Sequence, residues 1–454
     1  MKRILFAVTA MTLVSGCGLL NRGEKPTTPT VGQRIAVLTG EASVEVDPAL
    51  ADVAVTLPGI TANADWAQPG GNATKSMGHL ALGTTLAEAW SVDAGEGSHP
   101  RSRLASAPVV GGGRVYAVDT LARLRAFDVR TGARVWEAGV GREEDLRGGR
   151  SWWNGEFTGN RGLLFGGGVS YDNGRVYATN GLGDVVAFDA ATGNQLWRVR
   201  PSGPLRGAPT IALDTVYVVT QDNQLHALNT ADGTLRWTGT GTLELANVLG
   251  AAAPAVAQGT VVAGFSSGEL SAYRYENGRV VWQDALARTS ISTAVASLSD
   301  IDAEPVIDQG RVYAIGQGGR MVALELVTGQ RIWEINAAGI STPWVAGDWI
   351  FVLTDQSQLL AVARTTGRIR WMSQLPRWRD EEDKKGPISW VGPVLAGGRL
   401  IVASSQGHIV NVSPTDGAVQ STIQNRKRSF LLPPVVAENT FFLMSDDGRL
   451  TAWR

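Results

Sequence analysis

Short apolar runs separated by turns dominate this chain. In Arg175 to Arg198 (RVYATNGLGDVVAFDAATGNQLWR) a run from Arg175 to Thr179 precedes a turn from Asn180 to Asp184. A second run spans Val185 to Asp189, Ala191-Thr192-Gly193 turns the chain again, and a third run carries Leu196 and Trp197. Runs of about five residues, rich in Val, Tyr and Phe and bounded by Gly, Asn or Asp, predict an antiparallel meander. Gly193 suits a tight reversal that needs positive φ. Trp197, four residues on, places a large flat side chain where it buries against a neighbouring sheet.

The unit repeats. Gly132 and Trp136, Gly193 and Trp197, Gly233 and Trp237, Gly278 and Trp282, Gly329 and Trp333, and Gly367 and Trp371 share the spacing of four, whereas a seventh copy has Gly417 but Ser421. Trp90 and the successive repeat-position Trp residues lie 38 to 61 positions apart, the range of propeller blades. Upstream strands such as Ala107-Pro108-Val109, Glu304-Pro305-Val306 and Pro433-Pro434-Val435, with Gly167-Gly168-Val169 as a degenerate member, bring the count to eight. The last copy stops at Arg454 without its fourth strand, and an orphan strand, Ala87 to Val92, precedes the first. The expected fold is therefore all-β: an eight-bladed propeller of four-stranded antiparallel blades, closed by an N-terminal strand that completes the last blade. An open β-solenoid is the alternative.

Bulk properties narrow the function. Among 454 residues, 41 Lys and Arg balance 42 Asp and Glu, a net charge of −1 that offers no global field for nucleic acid or anionic lipid. Fifty-five Gly and fifteen Trp suit a many-turned β protein.

The N-terminus reads as three segments. Residues 1–17 form a lipoprotein signal: Met1-Lys2-Arg3 is basic, Ile4 to Val14 apolar, and Val14-Ser15-Gly16-Cys17 closes it with small residues. Cys17, the lone Cys of the chain, is the expected lipidation site, which leaves no intramolecular disulfide in an oxidising compartment. The ending resembles a bacterial lipobox, and because Gly18 stands where Asp marks inner-membrane retention in enteric lipoproteins, that resemblance implies the outer membrane. Residues 18–79 read as an extended linker, polar and Pro-bearing at Lys25 to Thr30, with Trp66 to Asn72 packed on the first blade. Residues 80–454 are the propeller.

Three insertions break the rhythm, and in repeat proteins such loops carry function. Gly141 to Gly168 holds Trp152, Trp153, Phe157 and Phe165; its Trp pair either plugs the central channel or meets a ligand. Leu286 to Ala303 ends in Ser299-Asp300-Ile301-Asp302, and Pro376 to Pro387 reads as a solvated charged hairpin or a contact site. Catalytic chemistry is sparse. His79, His99, His226 and His408 lack metal-site spacing, and structural hydrogen bonding is the expectation for His226 and His408. There is no Gly-x-Ser-x-Gly elbow or Walker loop. Glu143-Glu144-Asp145 reads as a solvated face.

The Gly-x-x-x-Trp blades resemble those of pyrroloquinoline-quinone dehydrogenases, which bind quinone and calcium centrally, often beneath adjacent cysteines that this chain lacks. Lipid signal, linker and blades together resemble the BamB family, lipoprotein scaffolds of the outer-membrane β-barrel assembly machinery within the PQQ-like repeat propellers. Two loops carry the resemblance: Pro204-Leu205-Arg206-Gly207-Ala208-Pro209-Thr210, and Leu298-Ser299-Asp300-Ile301-Asp302 before Pro305-Val306. The resemblance implies that they contact the periplasmic part of the barrel-forming subunit, with Leu205 an apolar anchor, Arg206 a fork of donors, and Asp300 and Asp302 acceptors. A further apolar position of the family is Gly203 here. The bland reading makes Asp300 and Asp302 turn caps, one of them paired with Arg206. The resemblance implies a non-enzymatic scaffold without cofactor, lipid-anchored on the periplasmic face of the outer membrane. Its partners would be the barrel-forming subunit and unfolded outer-membrane proteins, with no nucleic acid. The rivals are a quinone-dependent dehydrogenase and an envelope propeller that binds a ligand.

Overall fold

Val, Ile, Tyr and Phe fill the predicted runs because they pack well on a pleated, half-buried surface, and the runs form strands. The structure, a computed structural model, describes residues 44–153, 155–205, 207–243, 252–286 and 299–454. Among these residues, eight four-stranded antiparallel sheets are each ordered as a meander, and a two-stranded hairpin (Trp378–Asp380, Lys385–Pro387) stands apart. Blades 1 to 7 span 109–139, 169–199, 210–240, 255–285, 306–335, 344–374 and 390–424. Blade 8 takes three strands from 435–453 and its outermost strand, Glu88–Asp93, from the other end of the propeller sequence. Glu88 pairs with Trp453 and Asp93 with Arg449, while Ala87 and Arg454 exchange backbone hydrogen bonds of 2.8 and 2.9 Å. The closure expected from the orphan strand is the one observed.

The Gly and Trp of the repeat serve a joint between blades. Each Trp indole N–H donates to a carbonyl of the next blade: Trp136 to Ala190, Trp237 to Tyr275 and Trp371 to Pro414, at 3.0, 2.7 and 2.9 Å. The ring then lies against the next blade's repeat Gly, where an added Cβ would sit 2.7 Å from Trp136 at Gly193 and 2.6 Å from Trp237 at Gly278. These Gly residues also hold φ of +78° and +70°. Positive φ and ring contact therefore both require Gly. Across the strand from each Trp sits an Ala, such as Ala126 opposite Trp136 and Ala452 opposite Trp90, which leaves room for the indole. Blade 7 replaces both members: Asn411 pairs with Ser421, and the Asn amide donates to the Ser hydroxyl at 2.9 Å. The reason lies in blade 8. Its fourth strand comes from elsewhere in the chain, so it has no Gly-bearing turn for a Trp to dock on.

The segment from 44 to 79, expected as part of an extended linker, is instead seated on the propeller. Residues 46–53 run along the outer edge of blade 6, where Asp47 N donates to Ile369 O at 2.8 Å and Arg370 to Val53 O at 2.9 Å. From Asn63 to Leu80 the chain makes one circuit past the innermost strands, bonding to them in ring order. Asn63 meets blade 8 (Val436 O, 2.7 Å), Trp66 blade 1 (Val110, 2.8 Å both ways) and Ala67 blade 2 (Tyr171 N, 2.7 Å). Gln68 meets blade 3, its side-chain amide both donating to and accepting from Ile211 at 3.0 Å. Ala73 and Thr74 accept from Val256 and Ile307 of blades 4 and 5 at 2.8 Å, Gly78 from the Trp344 indole of blade 6 at 2.8 Å, and Leu80 donates to Leu395 of blade 7 at 3.1 Å. Inner-edge backbone groups that would face the channel unpaired thus find partners in this strap. Trp66 stacks on Trp344 with centroids 6.0 Å apart. Trp66 does meet the first blade, as its burial in the sequence suggested. Cys17 and the rest of residues 1–43 lie outside the described residues.

Candidate interaction face and central well

A propeller has two faces. One gathers the hairpins between first and second strands, and here the strap covers it: Gly112 N donates to Asp65, Ser76 to Asp308, and Gly398 N to His79 Nε2 at 2.9 Å. The other gathers the crossovers that lead from each outermost strand to the next blade. The described parts of all three sequence insertions, and of both loops that carry the family resemblance, belong to this crossover face.

The structure revises the predicted contact residues. Leu205 is 3% exposed and packs among Tyr177, Trp197, Ile211 and Val216, so it anchors its own loop rather than offering a surface. The turn is short, and pairing of Leu205 with Thr220 and of Pro204 O with Gln221 N leaves the Leu side chain pointing between blades 2 and 3. Asp300 is 1% exposed; its carbonyl accepts from Gln317 N at 2.9 Å, while Ser299 donates to Ser266 O at 3.0 Å. That loop is stitched to blades 4 and 5. Asp302 is half-buried and accepts from the Gln317 side chain. Arg206 lies outside the described residues. Ala208 and Asp302 bring the two loops to the wall of one cavity.

Trp152 and Trp153 do not plug the channel. They are 83% and 81% exposed, stacked with centroids 4.3 Å apart, at the tip of the first insertion. A tight turn shapes the tip: Ser151 N donates to Glu156 O at 2.6 Å and Gly155 N to Ser151 O at 2.8 Å. Beneath it the Arg150 and Arg161 guanidinium groups lie 5.3 and 4.9 Å from the Phe157 ring, and Arg150 pairs with Glu96 at 2.7 Å. The base is an ion cluster on blade 2. Asp184 accepts from Arg142 at 2.9 Å, Asn180 at 3.0 Å and Arg200 at 2.7 Å, and Arg200 also reaches Asp145 at 2.7 Å. Burial alone would raise the Asp184 pKa, but hydrogen bonds from Arg200, Asn180 and Arg142 outweigh it and hold the carboxyl below its ordinary range. Asp145 is buried, so the run Glu143-Glu144-Asp145 is not simply a solvated face. Leu163 and Ile340 are further exposed apolar residues on this side. The 376–387 insertion forms the solvated charged hairpin expected of it.

Between strap and crossovers lies a cavity of about 330 Å³, with Trp66, Pro69 and Lys75 at its floor and Leu104, Ile340, Trp344 and Leu432 among its walls. Its charged lining residues are Lys75, Asp302 and Glu304. Burial pushes the Lys75 ammonium down to about 8 against the attraction of Glu304, and pushes the Glu304 carboxyl up against that of Lys75. A quinone cofactor that carries several carboxylates would meet two acidic residues here with one Lys to oppose them, so these walls do not fit it. Among the described residues no group of three or more His, Cys, Asp or Glu is placed to hold a metal ion. His79 bonds to Pro58 O and Gly398 N, and His226 to the Thr238 hydroxyl, both structural roles. No described helix is long and apolar enough to cross a membrane.

Comparison with known proteins gives consistent results. The family model described as outer membrane protein assembly factor BamB matches residues 80–145 and 142–373. The chain is 26% identical over 369 residues to the outer membrane protein assembly factor BamB of Yersinia pestis, covering 80% of this chain and 88% of that protein. Its counterpart in Escherichia coli (strain K12) is 27% identical over 365 residues, with 80% and 88% covered. Among solved structures, BamB from Moraxella catarrhalis superposes with a TM-score of 0.64 at 19% identity, covering 82% of this chain and all of that one. A europium-containing methanol dehydrogenase reaches 0.63 at 14% identity, with 84% and 89% covered, a likeness of fold alone.

Proposed function

This chain belongs to the outer membrane protein assembly factor BamB family, and from that premise we propose that it is a non-enzymatic scaffold in outer-membrane protein assembly. It holds the barrel-forming subunit of the machinery by its crossover face, and presents that subunit to incoming unfolded outer-membrane proteins. Lipidation at Cys17 tethers it to the periplasmic side of the outer membrane. The observation that carries the reading is the braced, exposed Trp152–Trp153 stack on the crossover face, while the chain's own strap covers the other face. Exposed aromatic anchors of this kind dominate the energetics of protein contacts. Arg206 and Asp302 are the contact residues we assign in the two loops that carry the resemblance; Leu205 and Asp300 hold those loops from within.

The test mixes the full chain with the purified periplasmic portion of the barrel-forming subunit. Replacing both Trp152 and Trp153 by Ser, or Arg206 by Ala, weakens the complex while the melting profile stays unchanged. Full retention of binding by well-folded variants of both kinds refutes the assignment. The dehydrogenase reading predicts dye reduction on addition of quinone, calcium and an alcohol; the scaffold reading predicts none.

A further inference from the structure

We propose that the central well is a binding site for a small zwitterion with an apolar side chain, a free amino acid or a dipeptide, held between Lys75 and Glu304. The cavity, about 330 Å³, lies within the range of roughly 300–1,000 Å³ in which small-ligand sites fall. It is largely apolar, and the strap closes it at one end. Of its three charged lining residues Asp302 is engaged by the Gln317 side chain, and the other two, opposite in sign, come from different parts of the fold, Lys75 from the strap and Glu304 from the crossover before blade 5.

Lys75 and Glu304 attract one another but do not make an ion pair: their charged atoms lie beyond the 4.0 Å reach of the ion pairs found among the described residues. Lys75 is 2% exposed and its ammonium, with three protons to donate, makes one hydrogen bond, to the Thr210 hydroxyl at 3.0 Å. Burial moves each group toward its neutral form, the mark of charges incompletely repaid for lost water. The strap also holds Lys75 at φ +64°, an unfavoured conformation for a residue with a side chain. A ligand carboxylate against Lys75 and a ligand ammonium against Glu304 would satisfy both groups at once, with the ligand's side chain between Ile340, Trp344 and Leu432. A ligand of one charge satisfies one group and leaves the other unmatched. That asymmetry defines the expected specificity. The inference stands apart from the scaffold reading, since it turns on Lys75 and Glu304 in the well rather than on the Trp pair; Asp302, in the wall, is the residue the two share.

Titration calorimetry of the full chain tests it with five probes: L-phenylalanine, L-phenylalanyl-L-alanine, 2-phenylethylamine, 3-phenylpropionate and N-acetyl-L-phenylalaninamide. At least one of the first two is expected to bind, which also tells free amino acid from peptide, and the other three to bind at least about tenfold more weakly. Glu304→Gln should reduce zwitterion affinity by about tenfold or more without moving the melting temperature. Lys75→Met should do the same; if it fails to fold, Glu304→Gln alone decides. No heat from either zwitterion at about 10 mM overturns the assignment. So does equal affinity for the uncharged amide, which would mean apolar filling only, or unchanged binding by Glu304→Gln.

Discussion

Gly278→Ala separates the two reasons for glycine in the repeat. The backbone there holds φ +70°, and an added Cβ would lie 2.6 and 2.7 Å from the Trp237 ring. Gly310, in the first hairpin of blade 5, has a similar φ of +75° but nothing within 4 Å of such a Cβ. Gly310→Ala therefore carries the conformational cost alone, about 1–2 kcal/mol. Gly278→Ala adds overpacking against an indole that cannot retreat, because Trp237 is buried and its N–H is bonded to Tyr275 O at 2.7 Å. Forcing an extra methyl into a filled site costs a further ~1–3 kcal/mol. Calorimetric melting should place Gly278→Ala clearly below Gly310→Ala. In a Trp237→Ala background the obstruction is gone, and Gly278→Ala should cost no more than Gly310→Ala does. Equal losses from the two Gly substitutions, or an undiminished Gly278 penalty after Trp237 is truncated, would refute the joint.

Other perturbations follow from the same packing. Leu205→Ala should lower stability by about 2–5 kcal/mol, since it empties a core site, and a weakened partner complex that tracks this loss in a melting curve would be a folding effect. The double Ser variant at Trp152 and Trp153 should leave stability within about 0.5 kcal/mol while weakening the partner complex roughly tenfold or more in a titration. Gln68→Leu should destabilise by about 2 kcal/mol or more in a melt, because the buried N–H and C=O of Ile211 both lose their partner. Asp184 has a depressed pKa, so its contribution is present above the ordinary carboxylate range and is lost as pH falls through the folded value. Unfolding measured from pH 6 down to about 2 should therefore show a steeper acid loss in the native chain than in Asp184→Asn.

Much of the fold was legible because its code is local. A Gly, three residues and a Trp define a turn, a strand and a blade joint within five positions, and the one missing Trp, in blade 7, faces the one blade that lacks a receiving turn. The strap was not legible for the opposite reason. Trp66 signals packing on one blade, but polar residues such as Asn63, Gln68 and Thr74 in an aperiodic stretch give no strand signal for a full circuit, and Gln68 works as a substitute peptide group against Ile211 of blade 3. The inward turn of Leu205 escaped as well, since a short turn has no period from which a face can be inferred. Lys75 and Glu304 meet at the well only through closure of the ring.

The order of the strap's contacts bears on why the chain needs it. A closed ring of four-stranded blades leaves every innermost strand with one unpaired edge toward the channel, and those edges are polar backbone in a low-dielectric tunnel. Filling the tunnel with apolar side chains would leave those groups unsatisfied. A segment that circles once, from blade 8 through blades 1 to 7, bonds to the inner-edge backbone of seven blades and to the Trp344 indole of blade 6, and blocks one mouth as it does so. The cost is that one face is surrendered to the chain itself. The partner contact and ligand site proposed above both lie on the crossover side, where, among the described residues, the exposed Trp pair is found. Among the described residues, the asymmetry of the two faces thus comes from the backbone's demand for hydrogen bonds, and the face proposed for partner contact is the one the strap does not cover.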